Sequence, residues 1–305
     1  MSRALEGRVA IVTGAGRGLG RAHALYLAAQ GAHLLVNDLG GDVHGRGADP
    51  TPARRVAAEI VSRGGRAAVS GHDVSDWDQA GQMIAQAVET FGRLDVLVNN
   101  AGIRGDRTLA NMAEDEWDAV LRVHLKGHAA PTRHALAYWR DQSKSGREVK
   151  ASVIHTSSVA AFAGNIGQAN YSAAKIAVLA LSRVVSLEAG RYGVRSNVVS
   201  PSGRTRITTG TEEDAPSEEF DEMDPANVSP LIGWLAERDC PADSQIFHIS
   251  GSRLIVLSMP QIVHERRTQG RWTRDDLDRL LPGLLVGPLP LETYLGRAPI
   301  FGDKR

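Results

Sequence analysis

The stretch AIVTGAGRGLGRAHALYLAAQG, residues 10–31, decides the reading of the whole chain. An apolar run ends at Thr13, glycines follow at positions 14, 16, 18 and 20, and a segment of helical spacing begins. The widely used G-x-G-x-x-G pattern does not fit, because counting from Gly14 its third glycine position holds Leu19. T-G-x-x-x-G-x-G does fit, on Thr13, Gly14, Gly18 and Gly20. At a strand-to-helix junction the first glycine permits a tight turn and the next lets backbone approach a pyrophosphate. The last lets helix and strand pack closely. Free N–H groups at the helix start bind an anion. Gly14, Arg17, Gly18, Leu19 and Gly20 are therefore candidates for holding a dinucleotide. The plain alternative is a glycine-rich turn with no ligand.

The same rhythm continues to about residue 250. Short apolar runs (RVAIVTG, HLLVND, RAAVSGHDV, LDVLVNNAG, ASVIHTSS, VRSNVVSP and QIFHISG) alternate with segments of helical spacing over residues 21–30, 52–63, 76–91, 116–141 and 171–192. Such alternation predicts βαβ units. The expected fold is α/β, a doubly wound parallel sheet of about seven strands in a single domain, residues 1–257. A C-terminal extension follows, residues 258–305. Its run LLPGLLVGPLPL is too apolar to lie bare and is expected to pack on the body or on a neighbouring subunit. Within the extension, Thr273 with Asp276 three residues later predicts a capped helix start.

With 35 Lys+Arg against 35 Asp+Glu, nothing in the charge balance steers the chain toward nucleic acid or an anionic membrane. One cysteine, Cys240, excludes an internal disulfide and fits a reducing compartment. No basic leader precedes the apolar run at Val9, no run reaches membrane-spanning length, and the final GDKR is no organelle address. A cytoplasmic protein without a membrane span or metal is expected.

Asp38 ends the second predicted strand, 18 positions after Gly20, where a carboxylate can accept from a ribose hydroxyl pair. It would repel a 2′-phosphate, which favours NAD over NADP. Arg17 and Arg46 argue the other way, since either could pair with that phosphate, and an exposed helix cap is the plain reading of Asp38. Asp73 and Val74 close the third predicted strand, in place for an adenine. Asn100, Ala101 and Gly102, within NNAG, close the fourth and could line the cofactor cleft.

The segment HTSSVAAFAGNIGQANYSAAK carries the reactive groups. Tyr171 and Lys175, four apart on a predicted helix, share a face. Ser158 ends the fifth strand 13 residues earlier. A free tyrosine, with a pKa of about 10, is a poor base at neutral pH. A nearby ammonium stabilises its phenolate. Packed helix residues with no chemistry are the alternative.

TGAGRGLG, NNAG, the serine pair before YSAAK, and Pro201 after the sixth predicted strand together resemble the short-chain dehydrogenase/reductase family over roughly residues 6–255. The resemblance implies a Rossmann fold, a nicotinamide cofactor and a reaction at a secondary alcohol or ketone. It implies Tyr171 as catalytic acid/base, Ser158 as the group that polarises the substrate oxygen, and Lys175 on the nicotinamide ribose, lowering the tyrosine's pKa. Pro201 would lie beside the nicotinamide, although Ser202 stands where the family usually has glycine. Dimers or tetramers are also implied.

His124, in RVHLKG, stands where most members carry an asparagine that anchors a proton-relay water. A histidine there can donate and accept, with a pH dependence expected near neutrality, or it is a core residue. VNDLGGD, the glycine-rich loop after it, NNAGIRGDRT and RVHLKG resemble, over roughly residues 7–210, the dehydrogenase unit of the type 2 peroxisomal multifunctional enzymes. Its known reaction implies a (3R)-hydroxyacyl-CoA or a hydroxysteroid as substrate. With no hydratase or sterol-carrier module following, the dehydrogenase step alone is expected. A 3-oxoacyl-carrier-protein or other ketone reductase is the alternative, and a non-catalytic dinucleotide-binding regulator a further one. Arg104, Arg107, Arg204 and Arg206 are candidate partners for CoA phosphates. The acidic run 212–224, with eight carboxylates and no basic residue, would repel such phosphates unless it is a solvated outer face.

Overall fold

All five residues of strand β1 (Val9–Thr13) are buried, as expected of a strand covered on both faces. The computed structural model describes residues 4–206, 220–287 and 289–295. Around β1 the chain builds one sheet with β2 (His33–Asn37), β3 (Arg66–Ser70), β4 (Val96–Asn99), β5 (Ala151–Thr156), β6 (Val194–Ser202), β7 (Ile246–Ser250) and β8 (Arg253–Leu257). The order is β3-β2-β1-β4-β5-β6-β7-β8. Every pairing from β3 to β7 is parallel, while β8 returns antiparallel to β7. The sheet thus has eight strands where seven were expected. The eighth is joined to β7 through only Gly251 and Ser252, so along the sequence only a short polar interval parts the two apolar runs. That two-residue Gly-Ser link is itself a hairpin signal.

Strand order reverses between β1 and β4, and a crevice opens there at the carboxyl ends of the strands, the usual place for a ligand in such sheets. On one face lie α1 (Gly18–Ala29), α2 (Thr51–Ser62) and α8 (Ser229–Ala236), over a core that includes Leu27, Leu34, Ile60 and Leu235. On the other lie α3 (Trp77–Phe91), α5 (Gly127–Lys144) and α7 (Ala169–Ala189), packed around Met83, Leu97, Trp139 and Val185. Asp76 caps α3 by accepting from Asp78 N and Gln79 N, and Gly92 ends it in the left-handed conformation.

The single helix expected over residues 116–141 is two, α4 (Glu114–Leu121) and α5, joined by a π-helical turn, Arg122–Lys126. A wide turn of this kind is frequent at functional sites, and it carries His124. Further strand-end expectations shift slightly: Ser158 lies two residues past β5, and Asn100–Gly102 lie just past β4. β2 stops at Asn37, so Asp38 is the residue just past it; Asp73 and Val74 lie beyond the end of β3; and Pro201 lies within β6 rather than after it. These are strand-end differences set by where backbone pairing stops.

After β6 the acidic run falls mostly outside the described residues. Beyond β8, Thr273 and Asp276 cap α9 (Arg274–Leu280) reciprocally, as their spacing predicts. Leu281, Leu285, Val286 and Leu289 are exposed on the single chain. α10 (Leu291–Leu295) returns to the body: Arg253 donates to the Thr293 and Tyr294 carbonyls, and the Tyr294 ring stacks on Phe162 in the short α6 (Ala160–Ala163). No helix among the described residues is long and apolar enough to cross a membrane, and no group of three or more His, Cys, Asp or Glu among them is placed to hold a metal ion.

Candidate active site

Thr13 and Asn100 tie the two sides of the crevice together. The Thr13 hydroxyl accepts from Asn100 N at 2.9 Å and Ala101 N at 3.0 Å, and Asn100 Nδ2 donates to the Thr13 carbonyl at 3.0 Å. These bonds explain why a threonine precedes the first glycine and an asparagine follows β4. α1 opens at Gly18 after an extended Arg17, and no side chain caps its first turn. A Cβ on Gly20 would stand 2.1 Å from the Gly14 carbonyl oxygen, so only glycine lets helix and loop approach this closely. Asp38 joins the glycine loop to the loop after β2: one carboxylate oxygen accepts from Gly16 N and the other from Gly40 N, each at 2.7 Å.

The crevice has a volume of about 960 Å³, and it is lined by the residues read from the sequence as cofactor-binding or catalytic: Gly14, Arg17, Gly18, Leu19, Gly20, Asp38, Asp73, Val74, Asn100, Ala101, Gly102, His124, Ser158, Tyr171, Lys175 and Pro201. Arg46 is exposed and is not among its lining residues. A bare-backbone cradle at a helix start, a carboxylate at the end of β2 and a cleft of this size fit a dinucleotide.

Three chain segments bring the reactive groups to one wall. Asn170, in the first turn of α7, is fully buried; its Nδ2 donates to the Gly105 and Glu116 carbonyls and its Oδ1 accepts from Tyr171 N at 2.8 Å. This clamp fixes where α7 starts and so where Tyr171 points. Burial pushes the phenol above its ordinary pKa, and a hydrogen bond with Ser158 acts in the opposite direction. Lys175, one turn on, is 1% exposed, with Nζ donating to the Thr156 carbonyl at 2.7 Å and lying 5.8 Å from the Tyr171 ring centre. Burial lowers its pKa to about 7. In the protein by itself, then, burial outweighs any lowering of the phenol's pKa, contrary to the direction expected from the nearby ammonium.

His124 is buried edge-on to the Tyr171 ring, with centroids 4.9 Å apart. Its Nε2 lies 3.0 Å from Ile103 N and 2.8 Å from Ile103 O, and its Nδ1 has no hydrogen-bond partner in the chain. Either neutral tautomer satisfies one Ile103 group and leaves Nδ1 as the complementary donor or acceptor. Burial first, and then the charge of Lys175, lower its pKa to about 3. The titration expected near neutrality does not occur: His124 is a neutral imidazole.

Each arginine weighed for the CoA phosphates has a partner within the chain. Arg104 pairs with Asp106, Arg107 with Glu116 and Arg204 with Asp221, while Arg206 donates to the Gly41 carbonyl. Ile103, Gly41, Asp42, Gly45 and Asp49, for which the sequence suggested no role, also line the crevice. The run of glycines at 40, 41, 45 and 47 was the available signal.

Comparison with known proteins places this geometry. Hydroxyacyl-CoA dehydrogenase ChsB1 of Mycobacterium tuberculosis is 37% identical over 297 residues, covering 95% of this chain and 92% of that enzyme. The peroxisomal multifunctional enzyme type 2 of Mus musculus is 40% identical over 245 residues, 80% of this chain; the match spans 32% of that longer enzyme. A crystal structure of a short chain dehydrogenase from Mycobacterium avium superposes with a TM-score of 0.85 at 46% identity, covering 94% of this chain and 98% of that one. The sequence pattern of the family described as short chain dehydrogenase matches residues 8–218. The chain belongs to the short-chain dehydrogenase family and is an oxidoreductase acting on CH–OH groups with a nicotinamide dinucleotide, NAD(H) or NADP(H).

Proposed function

We propose that the chain is an NAD-dependent dehydrogenase of a (3R)-hydroxyacyl-CoA or a hydroxysteroid. The observation that carries this reading is the meeting of Ser158, Tyr171 and Lys175 on one wall of the crevice that begins at the glycine loop. When bound, the dinucleotide supplies the hydride acceptor and, in its oxidised form, a positive ring. Ser158 holds the substrate oxygen and Tyr171 takes the hydroxyl proton as the carbinol hydride leaves. Lys175 holds the nicotinamide ribose. His124 braces the Tyr171 ring and offers Nδ1 to a relay water. The name of the M. tuberculosis relative, a hydroxyacyl-CoA dehydrogenase, supports the acyl-CoA substrate class.

The discriminating experiment follows NADH formation with (3R)- and (3S)-hydroxyacyl-CoAs and with 3- and 17-hydroxysteroids. Preference for a (3R)-acyl-CoA or a steroid supports the reading, and turnover of neither class refutes it.

Asp38 carries the preference for NAD. Asp38→Asn keeps an oxygen that can accept from the glycine loop but removes the charge facing a 2′-phosphate. NADP discrimination should relax by about tenfold or more, the weight of one like-charge contact. Wild-type protein that binds NADPH more tightly than NADH would refute this role.

Residues 1–257 form the dinucleotide-binding domain, and the extension 258–305 packs on the body, as α10 does, or on a neighbouring copy in a homodimer or homotetramer. The exposed Leu285, Val286 and Leu289 support that assembly, and a monomer in light scattering would exclude it. A single, buried, free cysteine is consistent with work in the cytoplasm.

A further inference from the structure

The loop between β2 and α2 does more than connect them. Asp49 N donates to the Leu39 carbonyl at 3.1 Å, bringing the two ends of residues 39–49 together. Inside the loop, the Asp42 carboxylate accepts from His44 N at 2.8 Å and Arg46 N at 2.9 Å. Its far side reaches the segment after β4. Arg104 N donates to the Val43 carbonyl at 2.7 Å, and the His44 ring donates from Nδ1 to the Arg104 carbonyl at 3.1 Å. From beyond β6, Arg206 Nη2 donates to the Gly41 carbonyl at 3.1 Å.

The topology gives these contacts their meaning. β1 lies between β2 and β4 in the sheet. A loop that leaves β2 and bonds to the segment after β4 therefore crosses the crevice where strand order reverses. We propose that residues 39–49 are a strap across the mouth of the cofactor cleft, latched by His44 and Arg206, which must swing open for the dinucleotide to enter and leave. The proposal rests on the dinucleotide reading above.

The strap is built to move as a unit. Its base turns at Gly40, with φ +78°, where a Cβ would lie 1.8 Å from the Asp49 carbonyl oxygen. Asp42, His44 and Arg46 are exposed. Polar contacts hold its far side, and Gly45 beside Ile103 presents no side chain to bury. A segment held by a few exposed hydrogen bonds lies at the low-stability end of a protein's local openings.

A gate and a static contact differ kinetically. A strap closed in both the empty and the loaded protein limits entry and exit by the same open fraction. Weakening its latches therefore raises both rates and leaves Kd nearly unchanged. Stopped-flow fluorescence with NADH reads both. In His44→Ala, association and dissociation should rise together by about fivefold, the weight of one hydrogen bond. An unchanged thermal midpoint checks the fold. Faster dissociation alone, or no change in either rate, overturns the proposal.

A second variant works in the opposite direction. With Val43→Cys and Arg104→Cys, oxidation to the disulfide should slow NADH entry and a reductant should restore it. Equal rates in the oxidised and reduced forms overturn the gate. Failure of the wild-type chain to bind NADH at all would instead remove the dinucleotide reading, before any variant is compared.

Discussion

Tyr171→Phe is expected to lower kcat by about 10²–10⁴-fold, the range for loss of a positioned general acid/base, while NADH still binds. The aromatic ring remains to pack edge-on against His124, so the helix start held by Asn170 does not move. Only the hydroxyl that meets Ser158 is lost. Fluorescence titration measures cofactor affinity, and initial rates measure turnover. A regulator that merely senses the dinucleotide would bind it with or without the hydroxyl and would show no alcohol-dependent NADH formation in either form. Normal turnover by the variant would remove Tyr171 from the chemistry and, with it, the mechanism.

What the sequence reveals here is local. The glycine spacing after β1, the four-residue step from Tyr171 to Lys175 and the polar residues closing each strand all sit within one element or one junction. Helical spacing was enough to put Tyr171 and Lys175 on one face, while their meeting with Ser158 at the cofactor cleft was implied by the family resemblance. The eighth strand is announced only by the short polar interval Ser250–Arg253, whose Gly-Ser link signals a hairpin, and a count of seven strands passes over it. The π-helical turn was not legible, because its extra residue per turn does not alter an amphipathic pattern enough to be seen over five residues. The destination of residues 39–49 is a long-range fact: their glycines announce a loop, but nothing in them names Arg104 or Arg206 as partners. The state of His124 was misread for the same reason. A histidine's titration is set by what covers it, and the cover comes from Ile103, Tyr171 and Lys175, which are remote along the chain.

That cover extends to other imidazoles and makes the protein labile to mild acid. His23, His124, His128 and His155 are each at most 2% exposed. Burial, with a smaller addition from the Lys175 charge for the last three, lowers His23, His124 and His155 to about 3 and His128 well below its ordinary value. His128 and His155 stack with Nδ1 atoms 3.2 Å apart, a contact that needs one nitrogen to donate and the other to accept. A second proton on that pair would set donor against donor.

Between pH 6.5 and the folded values, the unfolded chain binds protons that the folded chain refuses. Stability therefore falls as pH falls through this window, by up to ~1.4 kcal/mol per pH unit for each imidazole. Four together approach ~5 kcal/mol per unit once pH is well below 6.5, comparable with the ~5–15 kcal/mol that holds a typical domain together. Urea midpoints measured from pH 7 to pH 4.5 should drop steeply, with unfolding largely complete before the carboxylates titrate near pH ~4. His155→Met, which removes one of the four groups, should make that dependence shallower even if the midpoint at pH 7 is lower. A midpoint that stays flat across this range, or an unchanged slope in the variant, would mean that these imidazoles accept protons in place and that their burial does not keep them neutral.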